Sequence, residues 1–218
     1  MNVIEIDNIE LNFGASEILK SIYLKSQKGK ITGVLGRNGS GKTSLLKIIF
    51  GSLKPKNKLI RIDNKPILRP LFRSKKATYL PQFNAILGRI SIKKAFYHYQ
   101  VNFLNFLEEF PNFKQLKESK MAELSGGERR VIEIYLTLFA TSEIILLDEP
   151  FSHVAPLYIK KIKDIIQIQK QHKIIIITDH LYKEIIDVSD SIYLIKNGWS
   201  KLIKNPEDLI FNNYINTL

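Results

Sequence analysis

The chain has 218 residues, of which 44% are hydrophobic, and it carries a formal net charge of +12. This length suits one α/β domain, and the hydrophobic fraction suffices for a buried core, which excludes a disordered chain. The absence of cysteine excludes disulfides and thiolate metal sites and fits a reducing compartment. No secretory signal follows Met1, and the longest apolar runs, such as residues 174–177, are far too short to span a bilayer. A cytoplasmic protein is expected.

The positive charge has two interpretations, a surface for nucleic acid or anionic membrane and a general lysine bias. Lysine is spread through the chain beside abundant Ile and Asn, which favours the bias. Only residues 54–58 and 69–76 are locally dense in basic residues, and both are predicted to be loops or hairpin edges, where solvated charge is the default. Neither interleaves basic and aromatic residues as single-strand-binding surfaces do, so no nucleic-acid partner is expected.

Short strands dominate the first eighty residues. Apolar and polar residues alternate over 3–6, 9–13 and 18–24, which predicts an antiparallel N-terminal sheet. An apolar strand over 31–35 follows, and then a helix that opens at Thr43 and ends at Gly51. Further short strands are predicted near residues 59–62 and 77–80, and Pro81 ends the second of these.

A helical pattern extends from residue 91 to about residue 116, until Pro111 interrupts it. Its apolar face, interpreted as core rather than as a ligand site, consists of Ile92, Ala95, Phe96, Tyr99, Phe103, Phe106, Leu107 and Phe110. The next helix is predicted from Gly126 through Leu138.

Two fully apolar runs, 144–147 and 174–177, predict central parallel strands. A predicted helix over 156–171 joins them, which is βαβ organisation. A helix over 181–188, a hairpin around Asn197 and a short helix after Pro206 complete the predicted elements.

A phosphate-binding loop lies between the strand over 31–35 and the helix that follows it. Residues 36–43 read Gly-Arg-Asn-Gly-Ser-Gly-Lys-Thr, the complete Gly-x-x-x-x-Gly-Lys-Thr pattern. The glycines let backbone N–H groups point at an anion, and the helix adds its positive dipole end. Lys42 is expected to reach the β- and γ-phosphates, and the Thr43 hydroxyl to hold Mg²⁺. A plain glycine-rich turn is disfavoured because both flanks fit. The predicted nucleotide contacts are Gly36, Arg37, Asn38, Gly39, Ser40, Gly41, Lys42, Thr43 and Ser44.

Five further segments occur in the order and spacing of an ABC-type ATPase cassette, which essentially the whole chain resembles. Residues 144–149 resemble the Walker B strand, expected beside the phosphate-loop strand with two carboxylates at its C-terminal end, where ligands collect in an open α/β sheet. The resemblance implies that Asp148 holds Mg²⁺ through water and that Glu149 is the general base for the attacking water. An ordinary acidic strand end is the alternative, which the phosphate loop disfavours.

Residues 124–128, Leu-Ser-Gly-Gly-Glu, resemble the family signature. In the family, the residues matching Ser125, Gly126 and Gly127 embrace the γ-phosphate of nucleotide bound to a second cassette. A serine N-cap with two turn glycines would be adequate without nucleotide. Gln82 matches the Q-loop amide, which touches Mg²⁺ and the attacking water. His180 matches the switch histidine, which bonds the γ-phosphate, although alone it would be interpreted as a surface residue.

Two positions remain open. Phe13 stands where the family places an aromatic ring that stacks on adenine, and a core position is the competing interpretation. After Walker B, Ala155 stands where the family's Ser-x-Leu-Asp-Pro pattern, the D-loop, has an aspartate. That carboxylate contacts the facing cassette in relatives, so its absence puts the rate and cooperativity of hydrolysis in doubt. Nucleotide binding is expected to be intact, since no phosphate ligand is lost.

The resemblance implies an α/β fold, a P-loop NTPase (RecA-like) core with an N-terminal antiparallel β subdomain and a short inserted α-helical subdomain. Residues 1–83 and 140–218 are expected to form the core with its β subdomain, and residues 84–139 the helical subdomain with the signature. The implied activity is ATP hydrolysis with Mg²⁺ by the ATP-binding subunit of an ABC transporter. The expected partners are a second cassette, in a homodimer, and transmembrane permease subunits at the inner face of the cell membrane.

Two other functions compete with transport. A soluble cassette ATPase acting on a macromolecular complex is disfavoured, because there is no long coiled coil between Gln82 and Ser125, no second cassette and no cysteine for a cluster. A regulatory module without turnover is suggested by Ala155 alone and is opposed by the intact Glu149 and His180.

Among transporter cassettes, the chain resembles the cassette of the lipopolysaccharide exporter more than a generic importer cassette. The residues that carry this resemblance are 124–130, Glu133, 150–151 and 177–180. Ala155 and the short segment that precedes the signature, where a membrane partner should dock, argue against it.

Overall fold

The computed structural model describes residues 1–205 and 207–215, which form one ten-stranded sheet with helices on its faces. In chain order the strands are β1 (Val3–Phe13), β2 (Ser16–Gln27), β3 (Ile31–Gly36), β4 (Asn57–Ile62), β5 (Lys65–Pro66), β6 (Ala77–Leu80), β7 (Ile144–Asp148), β8 (Ile174–Thr178), β9 (Ser191–Lys196) and β10 (Trp199–Ile203). The helices are α1 (Lys42–Phe50), α2 (Ile92–Tyr99), α3 (Phe103–Glu109), α4 (Gly126–Phe139), α5 (Pro156–Gln169), α6 (Tyr182–Val188) and α7 (Glu207–Phe211), with 3-10 turns at Pro111–Leu116 and Met121–Glu123.

The sheet has a parallel part and an antiparallel part, in the order β5-β4-β1-β2-β10-β9-β3-β8-β7-β6. Strand β1 pairs antiparallel with β2 and β4, whereas β3, β8, β7 and β6 are parallel neighbours. Parallel strands present their carboxyl ends at one edge, so the loops after β3, β6, β7 and β8 meet there. This edge positions the candidate site.

The parallel strands are apolar on both faces because each face is covered. On β7, Ile145 and Leu147 belong to a core cluster with α4, α5 and α6, while Ile144 and Leu146 belong to a second cluster with α1 and the antiparallel strands. This alternation explains why the run at 144–147 contains no polar residue. Among the residues described, the helices include none with the length and apolar character that a bilayer crossing requires.

Most of the predicted elements form. The antiparallel N-terminal sheet, the βαβ unit of β7, α5 and β8, the C-terminal hairpin and the following short helix are all present. Pro206, which was predicted to precede that helix, lies outside the described residues. The predicted α/β fold is therefore confirmed, and the division into subdomains stays a prediction.

Three predictions about elements were wrong. Residues 3–13 form one strand instead of two, because irregular pairing beyond Ile6 lets β1 continue past Asn8, which adopts a φ of 48°. The helix predicted from residue 91 is interrupted, since Gln100 takes a left-handed φ of 56° and ends α2. Strand β7 does not lie beside β3, because β8 returns between them.

Candidate nucleotide-binding site

The loop between β3 and α1 has the backbone shape that the glycine pattern predicts. Gly39 and Gly41 have φ values of 78° and 97°, in the left-handed region that favours glycine. A Cβ on Gly41 would also lie 2.6 Å from the Leu19 side chain. Gly51 ends α1 with a φ of 97° and donates its N–H to the Lys47 carbonyl oxygen, as its C-cap role predicts.

Lys42 begins α1 and turns its amine back toward the loop. Its Nζ donates to the Gly36 carbonyl oxygen at 2.7 Å, and the residue is buried. Burial lowers the pKa of the Lys42 amine, and the nearby Glu149 and Asp148 carboxylates oppose this effect. The amine therefore lies between the loop backbone and the acidic end of β7, where an anionic ligand would meet it.

Asp148, the last residue of β7, is fully buried and faces α1. Its Oδ1 accepts a hydrogen bond from the Thr43 hydroxyl at 3.1 Å, and its Oδ2 accepts one from the Tyr79 hydroxyl at 2.8 Å. Burial raises the pKa of the Asp148 carboxyl, and these two hydrogen bonds oppose the rise. Hydroxyl and carboxylate oxygens are the ligands that Mg²⁺ takes, so the pair of Thr43 and Asp148 fits this cation.

The Glu149 carboxylate contacts the other two predicted catalytic side chains, those of Gln82 and His180. Its Oε2 accepts a hydrogen bond from the Gln82 amide nitrogen at 2.9 Å and lies 3.2 Å from His180 Nδ1. The Glu149 backbone has a φ of 49°, a left-handed conformation that is costly for a residue with a Cβ. Its N–H donates to the Thr178 carbonyl oxygen at 2.7 Å, which holds the residue in that conformation. The structure thus brings Gln82, Glu149 and His180 together.

These groups line one cavity of about 770 Å³ at the carboxyl edge of the sheet. Phe13 is 54% exposed on its wall, so the competing interpretation as a core residue was wrong. The predicted site residues that line the cavity are Phe13, Asn38, Gly39, Ser40, Gly41, Lys42, Thr43, Ser44, Gln82, Gly126, Glu149 and His180.

The other predicted site residues lie just outside this cavity. Gly36 and Arg37 line a neighbouring cavity that His180 also borders, and Asp148 lies beneath Thr43. Ser125 and Gly127 line a separate cavity of about 560 Å³. Ser125 caps α4, because its hydroxyl accepts a hydrogen bond from the Glu128 N–H at 3.3 Å and the Glu128 carboxylate accepts from the Ser125 N–H at 2.9 Å. The phosphate loop and these two signature residues do not meet within one chain.

A family model described as ABC transporter matches residues 19–152. The chain belongs to this family. Membership of this family confirms the predicted ATP binding and ATP hydrolysis as part of an ATP-driven transporter. The predicted likeness to the lipopolysaccharide-export cassette is also confirmed. The chain is 29% identical to the lipopolysaccharide export system ATP-binding protein LptB of Haemophilus influenzae, over 96% of this chain and 93% of the relative.

Other relatives agree with this assignment. The chain is 25% identical to the high-affinity branched-chain amino acid transport ATP-binding protein BraG of Pseudomonas aeruginosa, over 90% of each protein. A solved structure of the ATP-binding subunit of an ABC transporter superposes with a TM-score of 0.82 at 20% identity, covering 97% of this chain and 93% of that one. This last likeness shows the fold.

The cassette contains a buried arginine to which the sequence analysis gave no role. Arg130 donates hydrogen bonds to the carbonyl oxygens of Pro81 at 2.7 Å, Asp148 at 2.7 Å and Glu149 at 2.9 Å. Burial lowers the pKa of its guanidinium, while Glu133 and Asp148 oppose this effect. Arg130 thereby joins α4 to both the Q-loop and the end of β7. Its signal in the sequence is a charge among the mostly apolar buried positions of α4, where Glu133 is the other buried charge.

Asp179 lies within residues 177–180, which carry the resemblance to the exporter cassette, but no role was predicted for it. It is fully buried, and its carboxylate accepts hydrogen bonds from the Phe151 N–H at 2.9 Å and the Leu181 N–H at 3.0 Å. Burial raises the pKa of the Asp179 carboxyl, and these bonds oppose the rise. Asp179 ties the segment after Walker B to the segment that carries His180.

The D-loop departs from the family pattern at an exposed helix start. Ala155 is the N-cap of α5 and supplies no side-chain hydrogen bond to the helix, and Pro156 is its first residue. His153 has a φ of 64°, and its carbonyl oxygen would lie 2.9 Å from a Cβ on Gly127. Glycine at position 127 therefore lets the D-loop pack directly on the signature.

Proposed function

We propose that the chain works as one of a pair of cassettes that closes on ATP and Mg²⁺ and drives separate transmembrane subunits. The observation that carries this proposal is the convergence of the phosphate loop, Asp148, Glu149, Gln82 and His180 at one edge of the sheet. An open α/β sheet binds its ligands at this edge, and the cavity is large enough for a nucleotide.

Binding is assigned to the phosphate loop and α1. The backbone N–H groups of residues 38–43 would surround the phosphates, and the Lys42 amine would exchange its bond to the Gly36 carbonyl for phosphate oxygens. Phe13, exposed on the cavity wall, would stack on the base. Thr43 and Asp148 would hold Mg²⁺, with Gln82 as a further ligand. The cation supplies charge neutralisation between the phosphates when it is bound.

Hydrolysis is assigned to Glu149 as the general base for the attacking water. Gln82 and His180 both bond the same carboxylate oxygen, which supports a role for them in orienting this base. Arg130 and the Thr178 carbonyl fix the Glu149 backbone from below. On γ-phosphate binding, His180 would turn from Glu149 toward the phosphate.

A pair of cassettes is supported by the position of the signature. Ser125 and Gly127 border their own cavity beside the D-loop rather than the phosphate loop. A second copy of the chain, facing the first, would bring these two residues to the γ-phosphate. The N-terminal end of α4 has the positive potential that such a contact requires.

A membrane partner is supported by the segment after Gln82. Phe83 and Leu87 are 80% and 59% exposed, although the backbone between them is held by hydrogen bonds. The Glu133 carboxylate accepts hydrogen bonds from the Ala85 and Ile86 N–H groups at 3.0 and 3.1 Å. An apolar surface that is rigidly attached to α4 and adjoins the Q-loop suits the docking of a transmembrane subunit.

The phosphate-loop assignment is tested by calorimetric titration of ATP with Mg²⁺ into Lys42→Ala. We expect at least a tenfold loss of affinity, because a charge-assisted contact contributes roughly 1.5–3 kcal/mol. Lys47→Ala is the matched control, since Lys47 is exposed on the same helix. Unchanged affinity in Lys42→Ala would exclude the assignment.

A further inference from the structure

Two basic segments that are separate in the sequence meet at the carboxyl end of α1. The Phe72 N–H donates to the Phe50 carbonyl oxygen at 3.1 Å, and the two rings are 5.6 Å apart. Residues 52–58 and 67–76 are thereby joined into one surface, here called the basic surface. They contain no Asp or Glu and seven basic residues, which are Lys54, Lys56, Lys58, Arg69, Arg73, Lys75 and Lys76.

The charges of the basic surface are open to solvent. Six of the seven side chains are exposed, and Lys76 is partly exposed. Across residues 1–205 and 207–215, Lys56 alone of the seven has an ion-pair partner, Glu10 at 3.1 Å. Removing that pair leaves, within 17 residues, six charges without an acidic partner, in a chain with 33 Lys and Arg among 218 residues. A general lysine bias would spread these charges over the whole molecule.

Apolar side chains accompany the charges. Leu68 is 90% exposed and Phe72 is 39% exposed, next to Arg69 and Arg73. This combination suits a bilayer interface, where a leucine enters the lipid and cationic side chains meet the headgroups. Surfaces that bind single-stranded nucleic acid instead use free rings for base stacking, whereas the Phe72 ring packs against Phe50. The composition of the surface therefore favours an anionic membrane over a nucleic acid.

We propose that the basic surface binds the anionic headgroups of a lipid bilayer, with Leu68 entering the interface. This contact is distinct from docking on transmembrane subunits, because it needs neither a protein partner nor a nucleotide. Each basic residue close to an anionic leaflet raises the affinity by about fivefold. The contact would orient the cassette at the membrane.

The test is cosedimentation of the purified chain with vesicles of phosphatidylcholine alone or with about a third phosphatidylglycerol. We expect binding to the anionic vesicles only, and weaker binding at higher salt. The basic surface is neutralised in the four-site variant Lys54→Gln, Arg69→Gln, Arg73→Gln and Lys75→Gln. The control loses the same charge from exposed residues elsewhere, by Lys28→Gln, Lys30→Gln, Lys160→Gln and Lys183→Gln.

We expect the four-site variant to lose at least about tenfold in affinity and the control to lose much less. Equal losses in the two variants, or equal binding to both vesicle types, would overturn the proposal. Thermal unfolding measured by circular dichroism verifies that both variants fold.

Leu68→Ala tests the apolar contact and separates a membrane from a nucleic acid. We expect it to weaken binding to anionic vesicles by about fivefold and to leave binding of a DNA duplex unchanged. Duplex binding that the four-site variant abolishes, without vesicle binding by the wild type, would assign the surface to nucleic acid and overturn the proposal.

Discussion

The nucleotide cavity and the helical insertion between β6 and α4 (residues 84–123) are held together by different forces. Around the cavity, buried polar atoms are held by directed hydrogen bonds. The Asp148 carboxylate, for example, accepts hydrogen bonds from the Thr43 and Tyr79 hydroxyls. In the insertion, Phe106 is fully buried among aromatic rings whose centroids lie 4.9 to 6.2 Å apart. Directed bonds require particular residues at particular positions, whereas aromatic packing requires mainly volume.

The largest stability effect is expected in the insertion. Phe106→Ala removes a ring that contacts Phe96, Phe110, Phe113 and Tyr135, so we expect a loss of about 3–5 kcal/mol in the free energy of unfolding. Chemical denaturation measures this loss. Leu104→Ala on the same helix is the control, since Leu104 is 67% exposed and should change stability little. Comparable effects of the two substitutions would show that the ring cluster is not the core of the insertion.

This contrast also explains which features the sequence predicted. Most of the residues that line the cavity were predicted, because the positions of Lys42, Glu149 and His180 follow from motif spacing along strands and loops. The break between α2 and α3 was not predicted, because the apolar pattern continues through Gln100 and its left-handed φ depends on how the two helices pack. The order of β3, β8 and β7 was not predicted either, because the sequences of apolar strands do not indicate which strands pair. The role of Arg130 was not predicted because its partners are backbone carbonyls, which the sequence does not display.

A smaller effect is expected where the two regions meet. Glu133→Gln keeps the shape of the side chain but removes its negative charge. The Glu133 carboxylate accepts hydrogen bonds from the Ala85 and Ile86 N–H groups and from the Arg129 guanidinium. We expect a loss of about 1–3 kcal/mol in unfolding free energy, because charge-assisted bonds are lost in a buried site. Hydrogen exchange should become faster at the amides of residues 85 and 86.

Glu118→Gln is the control for this substitution, because Glu118 is exposed within the same insertion. Unchanged exchange at residues 85 and 86 in Glu133→Gln would mean that the polar bonds do not fix the segment after the Q-loop, and that aromatic packing alone orders the insertion.

The smallest effect is expected at the D-loop. Ala155→Asp supplies the missing cap at the start of α5, so we expect a gain of about 1 kcal/mol and a rise in Tm of roughly 2–4 °C. Ala155→Asn supplies a cap without the charge, and its ATPase rate separates capping from a carboxylate that acts on the facing cassette. No rise in Tm with either residue would contradict the capping geometry at residue 155.

The most direct test of the central claim, that this cavity is a hydrolytic ATP site that works in pairs, is Glu149→Gln. The amide keeps the size of the carboxylate and is no base, so ATP binding should persist while turnover falls by about 10²–10⁴-fold. Without turnover, the closed pair should accumulate, and gel filtration with ATP and Mg²⁺ should show a dimer. A variant that stays monomeric with ATP and hydrolyses it at the wild-type rate would contradict the account.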